Sequence, residues 1–331
     1  QKVYECLVAE SDVLIALGAG TIHDITRYVA YNKDIPFISV PTAASVDGFT
    51  STVADMTWRG YKKTFTAVSP IYVVADTDIF KEAPYRLTAS GVSDLIGKYI
   101  ALVDWKISSI VIGEYICNRI CNMEIDAINK VCQCVDELVL GNTEAYEQLM
   151  YALIISGLAM QIIGNSRPAS GAEHHMANLW EMEVINEHLN AYHGERVSAA
   201  LILVMEEYEK IKKAIENERC RVKKYSGLEM DMLKEVFRSR EMYNSIIKEN
   251  TPDPLLNVNK VILQNRLENI AEILEKLPTL DFVKNTLMRA KAVTTFEEIG
   301  LPQGIKEKSF RISPYTTNRL TLMRLSKMLD Y

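Results

Sequence analysis

The feature that most restricts the fold of this chain is a change of hydrophobic period near residue 86. Before it, strand-like and helix-like segments alternate. "DVLIALGAG" is an apolar run that closes on glycines, "TIHDITRYVAYNK" has helical spacing, "PFISVPT" is a second strand, and "SPIYVVADTDIF" is a third that ends in acidic and turn residues. Strand, glycine turn, helix, strand is the grammar of a parallel α/β sheet that binds ligands at the C-terminal ends of its strands. From about Leu87 onward, apolar residues recur every third and fourth position through 93–112, 114–140, 143–163, 172–185, 193–218, 228–248, 259–276, 280–292 and 315–329. That spacing predicts an all-helical region of about eight helices. The expectation is therefore an α/β nucleotide-binding domain over 1–86 followed by a helical domain over 87–331, with a ligand in the cleft between them. The chain opens on Gln1 and runs through a helical segment straight into a strand. It reads as if it begins in the middle of a domain.

Charge and composition exclude some roles. The formal net charge is −6 with no block of Lys or Arg, so a nucleic-acid partner has no electrostatic footprint. The longest apolar run, Leu149–Ile163, is too short for a membrane span and contains Ser and Gly, so it is expected to be a buried helix. Six cysteines stand at 6, 117, 121, 132, 134 and 220. Without paired CxxC knuckles they read as reduced thiols of a cytoplasmic protein rather than a four-cysteine zinc site.

Four stretches carry chemistry. In "LGAGTIHD", two glycines close a strand and open a helix, which lets backbone N–H groups and the helix N-terminus meet a phosphate. A tight turn without a ligand uses the same pattern. "PTAASVDGFTSTVA" offers hydroxyls and one carboxylate, Asp47, at a strand end, suited to a nucleotide or polyol or simply to a self-bonded loop. Asp94 stands early in the helix of "TASGVSDLIGKYIALVDWK", as a dipole partner or as an oxygen ligand. Four of the five histidines fall between Arg167 and Val197. His174 lies near the start of one helix, and His193 just before the helix 195–218. With a distant Asp they suggest a three-ligand site with an open position, the pattern of catalytic zinc. His175 and His188 lack such placement and read as solvated or supporting residues.

Taken together, "GAGTIHD", "PTAASVDGFTS", "SGVSDLIGKYIALVDWK", "SRPASGAEHH…YHGERV" and the C-terminal "SPYTTNRLTLMRLSKML" resemble the glycerol-1-phosphate dehydrogenases, bacterial members above all. These belong to the iron-type alcohol dehydrogenase and dehydroquinate synthase-like superfamily. The resemblance implies a dinucleotide-binding α/β domain facing a helical one, with a further strand–helix–strand region before Gln1. It implies a metal held by Asp94, His174 and His193, where zinc suits the ligand set and nickel or iron(II) would also fit. Gly18, Ala19, Gly20, Thr21 and Ile22 match the loop that holds the pyrophosphate of NAD or NADP. Thr42, Ala43, Ala44, Ser45 and Ser51 match further cofactor contacts. Asp47, Asp94 and position 178 match substrate contacts. The implied reaction interconverts dihydroxyacetone phosphate and sn-glycerol 1-phosphate, a step of phospholipid biosynthesis, in a cytoplasmic homodimer or larger homo-oligomer.

Two positions depart from the pattern. Ala19 replaces a glycine, which a methyl tolerates if that residue keeps negative φ. Asn178 stands where relatives often carry a substrate-reaching His, and an amide cannot shuttle a proton near neutral pH. Arg167 and Lys98 are candidates, by location, for the phosphate's cationic partners. The rival readings are a dehydrogenase of an unphosphorylated polyol such as glycerol, a dehydroquinate-synthase-like lyase, and a metabolite-binding protein without turnover.

Overall fold

The computed structural model describes residues 11–331 except residue 59. β1 (Leu14–Gly18) pairs in parallel with β2 (Phe37–Pro41), from Leu14 opposite Phe37 to Gly18 opposite Pro41, and α1 (Gly20–Lys33) connects them. The sheet is built from apolar strands joined by a glycine turn and a helix, as the alternation predicts. A hairpin of β3 (Val53–Trp58) and β4 (Tyr61–Thr66) then intervenes, with Trp58 opposite Tyr61 across the turn. The alternating "VADMTW" and "YKKTFT" carry its pattern, which the Ser/Thr-rich loop before it obscures. The third parallel strand is much shorter than "SPIYVVADTDIF" suggests: β5 covers only Tyr72–Val73. Asp76 ends the extended run by accepting the Asp78 N–H at 3.0 Å and capping α2 (Thr77–Phe80). Among the described residues sheet order is β1–β2–β5, and Ile15 and Leu17 of β1 are 62% and 61% exposed.

Helices take over at Tyr85. α3 (Tyr85–Ile112) is buried on every side from Thr88 to Trp105, as expected of a central core helix. Around it lie α4 (Asn118–Gln133), α5 (Val135–Val139), α6 (Thr143–Ile163), α7 (Ala172–Glu181) and α8 (His193–Glu216). One apolar core joins α3, α4, α6 and α8 through residues such as Ile100, Val131, Leu153 and Leu201. α6 is longer than the apolar run within it. By length and composition it could cross a membrane, yet half of its apolar window is buried inside this core.

Beyond α8 the helices are short. β6 (Arg221–Val222) is followed by α9 (Met230–Val236), α10 (Arg240–Glu249), α11 (Lys260–Asn265), α12 (Leu267–Leu274), α13 (Leu280–Arg289), α14 (Ile305–Ile312), α15 (Leu322–Leu325) and β7 (Leu329–Asp330). Four expected helices are broken, 259–276 among them, which divides at Arg266. The 114–140 segment divides at Cys134, and 228–248 divides where Ser239 caps a new start by accepting the Met242 N–H. The 315–329 segment is a 3-10 turn, a loop, the single turn α15 and a strand that pairs with β6. A tertiary contact overrides its periodicity. The buried Arg324 guanidinium pairs with Asp253 at 3.0 Å and donates to Asn250 Oδ1 and the Pro314 carbonyl, which fixes a path no continuous helix could follow.

Candidate active site

A cavity of about 330 Å³ opens between the glycine loop and hairpin on one side and α3, α7 and α8 on the other. Its floor depends on one close approach. Gly194, in the first turn of α8, donates its N–H to Ser90 Oγ at 3.0 Å, and a Cβ there would lie 1.9 Å from the Ser90 carbonyl oxygen. Only glycine permits that contact, and it brings His193, the first residue of α8, up to Asp94 one turn further along α3. Asp94 is the tenth residue of α3 rather than an early one, so partnership with the helix dipole does not account for it. From α7, His174 points its Nε2 at Asp94 Oδ1, 3.2 Å away. One ligand atom from each of Asp94, His174 and His193 lies within 4.8 Å of the others.

The surroundings fix each group. Glu173 Oε1 accepts from His174 Nδ1 at 2.7 Å, leaving Nε2 to face the cluster. The Lys98 ammonium is held between Asp94 Oδ1 at 2.7 Å and Asp47 Oδ2 at 3.0 Å. Asp47 also accepts from Ser156 Oγ at 2.9 Å and donates its N–H to Asp94 Oδ2 at 3.1 Å. Burial alone would raise the Asp94 carboxyl, but Lys98 and the two histidines outweigh it and hold the group ionised. Asp47 is raised by burial and by the charge of Asp94. Burial works against a charged His174, yet the carboxylates of Asp94 and Glu173 push it up to about 9. His193 is pushed down to about 4, mainly by burial, and keeps a free lone pair. Once His174 gives up its proton, the donor set brings one carboxylate and two neutral imidazole nitrogens to one point, which fits a divalent cation.

The glycine loop lies opposite. Gly18 has φ 154° and a Cβ there would come within 2.9 Å of Ile22, whereas Ala19 has φ −88° and carries its methyl without strain. Thr42 donates its N–H to the Gly18 carbonyl at 3.1 Å, joining the two loops matched to the cofactor. Of these residues Gly20, Thr21 and Ser51 border the cavity, while Gly18, Ala19, Ile22, Thr42, Ala43, Ala44 and Ser45 do not. Asp47, Asp94, His174, Asn178 and His193 border it as well.

Several side chains stand differently from expectation. Lys98 is locked between two carboxylates, and Arg167 pairs with Glu114 at 2.6 Å away from the cavity, so neither is a free cation facing it. His175 is not solvated but buried against the cavity, while His188 is exposed and pairs with Glu183 at 2.5 Å. Lys62 and Arg196, which share Glu181, and Arg319 complete the charged lining. Nothing in the local sequence marked them. The cysteines 117, 121, 132, 134 and 220 are free thiols, and among the described residues the only cluster suited to a metal is Asp94, His174 and His193. Cys6 lies outside the described residues.

An α/β unit facing a helical one across a cleft is the fold this chain shares with an iron-containing alcohol dehydrogenase of Corynebacterium glutamicum, TM-score 0.56 at 14% identity over 96% of this chain and 74% of that one. The family described by that name matches residues 1–84. Glycerol dehydrogenase from Schizosaccharomyces pombe superposes with a TM-score of 0.53 at 21% identity, over 83% of this chain and 73% of that one. A glycerol-1-phosphate dehydrogenase (NAD(P)+) of Geobacillus thermodenitrificans is 33% identical over 96% of this chain and 70% of its own length. The enzyme of the same name from Bacillus velezensis is 43% identical over 62% of this chain and 52% of its own. The chain belongs to the glycerol-1-phosphate dehydrogenase family.

Proposed function

We propose that the protein reversibly reduces dihydroxyacetone phosphate to sn-glycerol 1-phosphate with NADH or NADPH and one divalent metal ion. The observation that carries the reading is the convergence of Asp94, His174 and His193 within 4.8 Å on the floor of a cavity whose opposite wall is the glycine loop. A divalent ion held by these three residues would polarise a carbonyl oxygen, and the nicotinamide would supply the hydride. The chain's own part is preorganisation. Glu173 sets the His174 tautomer, and Lys98 and the Asp47 N–H fix both Asp94 oxygens. Asn178 follows His174 by one helical turn and faces the cavity, where its amide can hold a substrate hydroxyl without carrying a proton. The curated names of the relatives support this substrate pair over an unphosphorylated polyol.

Elemental analysis joined to NADH oxidation tests the reading. The purified protein should hold a divalent metal and oxidise NADH with dihydroxyacetone phosphate far faster than with dihydroxyacetone. His174→Ala should lose both metal and turnover, the latter by about 1,000-fold or more, as expected when several kcal/mol of carbonyl activation is removed. Full activity in metal-free protein would rule the site out.

A further inference from the structure

One corner of the cavity, beside the metal cluster, gathers polar atoms that have no partner within the protein. His175 is 1% exposed and borders the cavity, yet neither ring nitrogen makes a hydrogen bond. The Asn178 Oδ1, one turn further along α7, is unpaired as well. Leaving such groups buried and unsatisfied is unfavourable, and a phosphorylated ligand would offset it, its phosphate accepting from a His175 ring N–H and a hydroxyl donating to Asn178 Oδ1.

Arg319 faces the same corner from the loop before α15. Its Nη1 donates to the Ser170 carbonyl at 3.2 Å and its Nη2 to Ser166 Oγ at 2.7 Å. It forms no ion pair with a carboxylate among the described residues, and in this it differs from the other cations around the cavity. Lys62 and Arg196 share Glu181 at 2.8 and 3.5 Å, and Lys98 is held by Asp47 and Asp94. Burial and the nearby charge of Arg167 lower Arg319 to about 10, so it stays cationic at neutral pH. The loop is fastened to α7 where it matters: Thr316 Oγ1 donates to the His175 carbonyl at 3.2 Å. The Gly171 and Ala172 amides at the start of α7 are already engaged, by Glu173 and Asp104, so neither is open to an anion here.

We infer that this corner is the subsite for the substrate's phosphate, with Arg319 supplying the charge and His175 a ring N–H donor. The identity of the phosphate's carrier rests on the reaction proposed above, whereas the anion site itself does not. His175 follows the metal ligand His174 in sequence, so the corner lies next to the carbonyl-binding position, and a triose phosphate has its ester oxygen two bonds from its carbonyl carbon.

Calorimetric titration of inorganic phosphate into the full metal-loaded chain tests the site without turnover. Phosphate should bind, about 100-fold more weakly in Arg319→Gln, with part of the loss restored in Arg319→Lys. The KM for dihydroxyacetone phosphate should rise by a similar factor. His175→Asn should weaken phosphate binding about 10-fold, and it carries the test should Arg319→Gln fail to fold. Metal content and NADH fluorescence quenching report an intact fold. A parent that binds no phosphate, or folded variants that bind it as the parent does, would overturn the subsite. Arg319-dependent phosphate binding without oxidation of NADH by dihydroxyacetone phosphate would leave the subsite standing and reject the proposed reaction.

Discussion

The two walls of the cavity are built on opposite principles. On the helical side the cluster is made of charged and ring side chains, two of them pinned by another: His174 by Glu173 and Asp94 by Lys98. On the loop side the work falls to backbone and small residues, Gly20, Thr21 and Ser51, and the loops are joined by a main-chain bond from Thr42 to Gly18. The difference teaches where the chain tolerates change. A pinned cluster transmits any displacement to its partners, whereas a backbone cradle depends on torsions and clearance.

The strongest way to break the contrast is at the joint that assembles the helical wall. Gly194→Ala would drive a methyl into the Ser90 carbonyl, and we expect about 3 kcal/mol or more lost from stability together with metal affinity, read by thermal melts and elemental analysis. Protonation comes next. In the metal-free protein His174 is raised from 6.5 to about 9, so the stability it contributes is fully present below pH 6.5 and is lost as pH rises through 9. That amounts to about 3 kcal/mol by linkage. Metal must displace the same proton, so apparent metal affinity should climb about tenfold per pH unit toward pH 9 and level off above it. A flat affinity profile between pH 7 and 9 would sink this account.

Milder changes sharpen the comparison. Glu173→Gln keeps a hydrogen-bond acceptor for His174 but removes its charge, and metal affinity should fall about 10- to 100-fold by competition with a chelator. On the opposite wall, Ala19→Gly should do least. Ala19 already has φ −88°, so the change should cost no more than about 1 kcal/mol and leave the NADH dissociation constant within about twofold.

The alternation of strand and helix was legible because glycine and proline punctuate it, and the long helices because their apolar spacing is sustained. The candidate metal cluster was legible in part: His174 and His193 stand at helix beginnings, while Asp94 read as either a dipole partner or an oxygen ligand until the resemblance chose between them. Lys62 remained hidden because its hairpin follows a hydroxyl-rich loop that reads as irregular. Arg319 was hidden because the apolar spacing of 315–329 imitates a helix, and only the burial of Arg324 against Asp253 breaks it. Arg167 looks free in a sequence, since its partner Glu114 lies 53 residues away; Lys98 has Asp94 four residues earlier on α3, but its second partner, Asp47, lies on another element 51 residues away.

The fastening of Lys98 between Asp47 and Asp94 has a consequence for ion selectivity. With Glu173 behind His174, three carboxylates face one ammonium, a formal charge of −2 when all are ionised and His174 has lost its proton. A divalent ion brings that region to neutrality, while a monovalent ion leaves it negative and a trivalent one makes it positive. If the cluster holds a metal as proposed, the pocket should discriminate by valence before it discriminates by element.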